Sequence, residues 1–73
     1  MDKKEKIALL TDLLELEENS IDENTPLSSI EEYDSLAKLS LIVLMDEEFN
    51  KKLTGEKILE FVKVKDILDF MDE

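Results

Sequence analysis

The chain has 73 residues, and its 9 lysines face 20 aspartates and glutamates for a formal net charge of −11. There is no Arg, His or Cys, which removes the bidentate phosphate clamp, the usual general base, the commonest metal ligand, thiolate nucleophiles and disulfides. So acidic a surface repels nucleic acid and anionic membrane and favours partners with a basic patch.

A chain this short forms one domain that buries only about 60% of its unfolded surface. The 42% of apolar residues, with one Gly and one Pro, favour helices over a disordered acidic tail. The longest apolar run, Leu41 to Met45, is far short of a membrane span. The chain opens without a signal-peptide pattern, and the expected location is the cytoplasm.

The first helix is expected from Lys3 to Glu18, with Ile7, Leu10, Leu13, Leu14 and Leu16 at helical spacing. Asp2 can cap it, with Glu5 three residues on. Asn19 to Tyr33 reads as a long loop, made extended at Thr25-Pro26 and pinned to the core by Ile21, Leu27 and Ile30. Ser28 with Glu31, or Ser29 with Glu32, matches a capping box, so a single turn is expected there.

Asp34 is the natural cap of the most apolar segment, Ser35 to Asn50. Leu41, Met45 and Phe49, with Ile42 beside them, form its core stripe. Leu36, Leu39 and Val43 form a second stripe that points away from Met45. Such a stripe is either covered by the loop or left open to a partner. Asp46, Glu47 and Glu48 lie at the helix end where the macrodipole disfavours acid. Pairs Glu47–Lys51 and Glu48–Lys52 are spaced to offset that cost. Thr54 can cap a short helix, Gly55 to about Glu60. A last helix spans about Val64 to Met71, with Val64, Ile67, Leu68 and Met71 inward and a poor cap in Lys63. The fold class is therefore all-α: three longer helices, one short helix and a long first loop.

Ser35 is the first residue inside the central helix, where free backbone N–H groups and the macrodipole favour an attached phosphate. Asp-Ser is also simply a good helix start. Ser20, Ser28, Ser29 and Ser40 are weaker candidates: Ser28 and Ser29 read as caps, Ser40 lies mid-helix, and Ser20 sits in the loop. No EF-hand spacing occurs, and no metal site is expected.

Asp34-Ser35-Leu36, followed at fixed distance by Leu39, Leu41, Ile42, Met45 and Asp46-Glu47-Glu48-Phe49, then Leu53 and Val64-Lys65-Asp66-Ile67-Leu68, resembles the acyl carrier proteins and related thiolation domains. The similarity covers nearly the whole chain. It implies one carrier domain over 1–73 with the small four-helix acyl-carrier bundle. It implies 4′-phosphopantetheine on Ser35, flanked by Asp34 and Leu36, installed from coenzyme A by a phosphopantetheinyl transferase. The partners implied are that transferase, an acyl- or aminoacyl-loading ligase and a downstream acyltransferase or synthase. The carrier itself is a monomer that performs no catalysis. Leu36, Leu39, Val43, Glu47 and Glu48 are the expected docking surface. Glu32-Tyr33 before the triplet and Ala37-Lys38 after it depart from housekeeping fatty-acid carriers. Tyr33 is closer to the aromatic-Asp-Ser-Leu pattern of specialised stand-alone carriers, D-alanyl carriers among them. The alternative is an acidic helical adaptor or inhibitor that binds a basic protein without a cofactor.

Overall fold

The computed structural model describes residues 2–72. Its helices are α1 (Lys3–Leu13), α2 (Ser35–Phe49), α3 (Gly55–Glu60) and α4 (Val64–Asp72), with a single 3-10 turn at Leu27–Ser29. There is no strand among the described residues; an isolated antiparallel bridge joins Pro26 to Lys63. The architecture is the all-α bundle expected from the pattern of apolar residues.

α1 starts where Asp2 accepts a hydrogen bond from the Glu5 amide at 2.8 Å. It ends at Leu13, a full turn before the expected Glu18. Glu15 takes the left-handed conformation, with φ of 57°. Its amide donates to Asp12 O at 3.1 Å, and that of Leu16 donates to Thr11 O at 2.9 Å. This is a Schellman ending, which folds Leu16 back to pack beside the core. Helical periodicity alone carries no mark of it, because Glu rather than Gly occupies the left-handed position.

The long loop is stitched to the stretch between α3 and α4. Leu27 N–H donates to Val62 O at 2.9 Å, Val64 N–H to Thr25 O at 3.0 Å and Lys65 N–H to Glu23 O at 2.9 Å. Leu27 and Ile30 are buried and Ile21 packs against the core, as expected of pinning residues. The expected serine caps do not form. The 3-10 turn has no side-chain cap, and Ser29 Oγ instead donates to Pro26 O at 2.7 Å. Pro26 holds the residue before the turn in extended geometry, leaving neither serine at a cap position.

The core gathers Leu10, Leu41, Met45, Val64 and Ile67, all nearly inaccessible. Phe61 and Phe70 meet edge-to-face at 6.0 Å. α2 is capped as expected and ends at Asn50, whose φ of 53° and N–H bond to Asp46 O terminate it in an αL turn. The expected Glu47–Lys51 and Glu48–Lys52 pairs are not formed. Because the helix stops at Phe49, Lys51 turns inward, donates to Phe70 O at 3.0 Å and lies over the Phe70 ring. Thr54 caps α3 by accepting from Lys57 N–H at 3.1 Å.

The weak cap at Lys63 is resolved from inside α4. One oxygen of Asp66 accepts from both Val62 N–H (2.8 Å) and Lys63 N–H (3.1 Å). A further feature was not legible in the sequence: Lys6 is 5% exposed and pairs with Asp72, joining α1 to α4.

Candidate functional site

The Asp34 carboxylate accepts from Ala37 N–H at 2.9 Å, which fixes the first turn of α2. The main-chain ladder then opens with Lys38 N–H donating to Asp34 O at 3.0 Å. Ser35 and Leu36 therefore carry the first two amides of a helix, which have no intrahelical acceptor. Ser35 is exposed there, so a bulky group can be joined to its Oγ without opening the core. Among the rival serines, Ser20 Oγ donates to Glu17 O at 2.6 Å and Ser29 Oγ to Pro26 O at 2.7 Å. Ser28 sits on the one-turn 3-10 helix and Ser40 mid-helix, away from free amides.

The second stripe of α2 is open. Leu36 is 73%, Leu39 60% and Val43 52% exposed, and the long loop covers none of them. At about 100° per residue these three lie opposite the Leu41–Met45 face. Glu47 continues the stripe one turn beyond Val43, and both line a shallow hollow with Leu9 and Leu13 of α1. Asp46 also falls on this side by the same rotation, whereas Glu48 is turned towards the core side, where it remains exposed. The acids are thus divided: Asp46 and Glu47 rim the stripe and Glu48 does not.

Two exposed apolar residues escaped the sequence pattern, Leu59 (77%) and Val62 (66%). α3 is too short for a reliable apolar face, and Val62 is turned outward by the bridge region around Pro26 and Lys63. Val62 lines an open cleft of about 380 Å³ beside the start of α2, with Leu27, Ile30, Tyr33, Lys38 and Phe61. Tyr33 Oη is buried without a hydrogen-bond partner, and burial raises the Tyr33 pKa above 10.0. Lys38 Nζ sits 5.5 Å from the Tyr33 ring centroid.

Among the described residues no three acidic groups come together as a metal site would need, and no helix is long and apolar enough to cross a membrane. Searches of curated proteins and of solved structures found no match. The family described as the phosphopantetheine attachment site matches residues 7–71, with Asp34-Ser35-Leu36 and all of α2 inside the match. Proteins of this family carry 4′-phosphopantetheine covalently on a serine and serve as non-catalytic carriers. With that match spanning nearly all of the bundle, the chain belongs to the phosphopantetheine-binding carrier family.

Proposed function

We propose that Ser35 is the attachment serine and that the chain shuttles acyl or aminoacyl groups between partner enzymes of a specialised biosynthetic pathway. The observation that carries this is the placement of Ser35: exposed, at the first helical position, behind a cap that fixes its direction. The residues suit the group, since the hydroxyl is accessible and the leading amides of the helix offset a phosphodiester's charge. When bound, the arm supplies the thiol that a chain without cysteine lacks. Ser35 Oγ would hold the arm as a phosphodiester, bonding to phosphorus as the bond between that phosphorus and the nucleotide of coenzyme A breaks. Asp34 holds the helix start through Oδ1, which accepts from Ala37 N–H.

Leu36, Leu39 and Val43 form the apolar centre of the docking surface, with Glu47 and Asp46 as its acidic rim, while Glu48, expected there as well, is turned to the other side of the helix. A basic enzyme with an apolar notch matches this face. The partners are a phosphopantetheinyl transferase, a loading ligase and a downstream acyltransferase or synthase, met by a monomeric carrier in the cytoplasm. Tyr33 before Asp34 favours a specialised rather than a bulk fatty-acid role.

The test is to incubate the protein with coenzyme A and a broad-specificity transferase and to weigh it. The wild type gains one arm and Ser35→Ala gains none, while before loading both have the same melting temperature because Ser35 is exposed. An unchanged mass in both would leave the acidic-adaptor reading in its place. Arm addition to Ser35→Ala would move the site to another serine.

A further inference from the structure

We infer that Lys38, held over the Tyr33 ring, is the cation that pairs with the phosphodiester on Ser35, an inference that rests on the carrier reading above. Lys38 is the one lysine of α2, and it lies three residues beyond Ser35. Residues so spaced share a helix face, with about 5–6 Å between their Cβ atoms. Helical side chains lean towards the N-terminus. Lys38 does so here, since its Nζ has reached back to within 5.5 Å of the ring centroid of Tyr33, a residue before the helix starts. The ammonium therefore lies back towards the opening turn of α2, the turn that Ser35 begins.

This cation is otherwise uncommitted. The ion pairs among the described residues use Lys3, Lys6 and Lys57, and Lys51 donates to a main-chain oxygen. The nearest acid in sequence, Asp34, accepts from the Ala37 amide through Oδ1 and forms no ion pair with Lys38, while Glu31 and Glu32 are exposed. In a chain of net charge −11, a lysine without a carboxylate partner beside the attachment serine is an unmatched positive charge. The Tyr33 ring presents its electron-rich face and fixes the long side chain without neutralising it. Lys38 also lines the cleft with Val62 and Phe61. Lys38 is a positioning residue in this scheme and has no part in bond making.

The experiment compares wild type, Lys38→Gln and Lys38→Arg, each as the unmodified chain and after loading to completion, with mass confirming one arm. Thermal melts are recorded at low and at high salt. Loading should raise the wild-type melting temperature relative to its effect in Lys38→Gln by roughly 1–4 °C at low salt, the scale of a solvent-exposed ion pair in so small a domain. High salt should abolish that difference, and Lys38→Arg should restore it. The Lys38 side-chain resonances, shifted by the Tyr33 ring, should move on loading. An equal response to loading in wild type and Lys38→Gln, with Lys38 resonances unmoved, would overturn the assignment while leaving the carrier reading intact. Failure of all three proteins to gain mass would remove the carrier reading and this inference with it.

Discussion

Replacing Asp66 tests how the chain holds together the stretch that walls the cleft. Lys63 occupies the cap position of α4 but has no side-chain acceptor to offer. The donors there are Val62 N–H and Lys63 N–H, and both converge on one Asp66 oxygen at 2.8 and 3.1 Å. Capping bonds of this kind contribute about 0.5–2 kcal/mol, and an ionised acceptor strengthens them. Two such bonds at a solvent-accessible site place the cost of Asp66→Ala at about 1–2 kcal/mol, with each kcal/mol lowering the melting temperature by about 4–8 °C in a domain this size. Asp66→Asn keeps one acceptor oxygen and should lose less. Urea melts at neutral pH give the difference, with an unchanged slope confirming that the unfolded state is the same.

The same site gives an acid signature. The Val62 and Lys63 amides, in that order, hold the Asp66 carboxyl below its ordinary 3.8. A carboxyl depressed in the folded state stabilises it above the unfolded pKa, and that contribution disappears as pH falls through the lower folded value. The gap between wild type and Asp66→Asn should therefore close below about pH 4. If Asp66→Ala melts within about 0.3 kcal/mol of wild type, the scatter of independent sites, or if the gap persists in acid, the two bonds do not cap α4.

Glu15→Gly should raise stability by about 0.5–1 kcal/mol, because a left-handed L-residue costs about 1–2 kcal/mol and glycine returns part of that as unfolded-state entropy; thermal melts decide, and a loss would mean that the Glu15 side chain makes a compensating contact. Tyr33→Phe should stabilise by up to about 1 kcal/mol, since it removes a buried hydroxyl that has no partner. Burial raises the Tyr33 pKa, so its contribution to folding is intact below 10.0 and is lost as pH rises through the folded value; the phenylalanine variant should lack that alkaline loss in a pH series of melts. Glu47→Lys should slow loading at low salt by about tenfold and Glu48→Lys by much less, because only Glu47 continues the apolar stripe. Equal effects would place the acidic rim elsewhere.

Most of the frame was legible because the amphipathic spacing of Leu10, Leu41, Met45, Val64 and Ile67 leaves little choice of inward face, and all five are buried. Caps whose acceptor precedes the helix, at Asp2, Asp34 and Thr54, were readable for the same local reason. What escaped depends on partners distant in sequence or on backbone that no side chain advertises. The left-handed Glu15 shortened α1 by a turn. Lys6 is buried by a partner 66 residues away. Lys51 satisfies Phe70 O instead of Glu47, because the last turn of α2 closes before an i,i+4 pair can form. In the candidate site, Ser35 and the open stripe could be read from one helix, whereas Val62 joined the cleft only through main-chain bonds between the loop and the link before α4.

The loss of the expected lysine pairs sharpens the meaning of the acids that end α2. Three carboxylates at a helix C-terminus oppose the macrodipole, each by about 0.3–1 kcal/mol where screening is weak. Had Lys51 and Lys52 answered them, the cluster could be explained as local helix support. Neither does, so folding gains nothing from Asp46 and Glu47 where they stand. Three large apolar side chains on the same face are likewise held in water, where folding gains nothing from them either. Two unfavourable features on one surface, an acidic rim and an uncovered apolar stripe, would each become favourable against the basic, notched partner proposed for this face. Lys38 stands apart from that rim, at the opposite end of the helix and beside Ser35. The charge on α2 is thus segregated, positive beside Ser35, the proposed attachment point, and negative along the proposed docking rim.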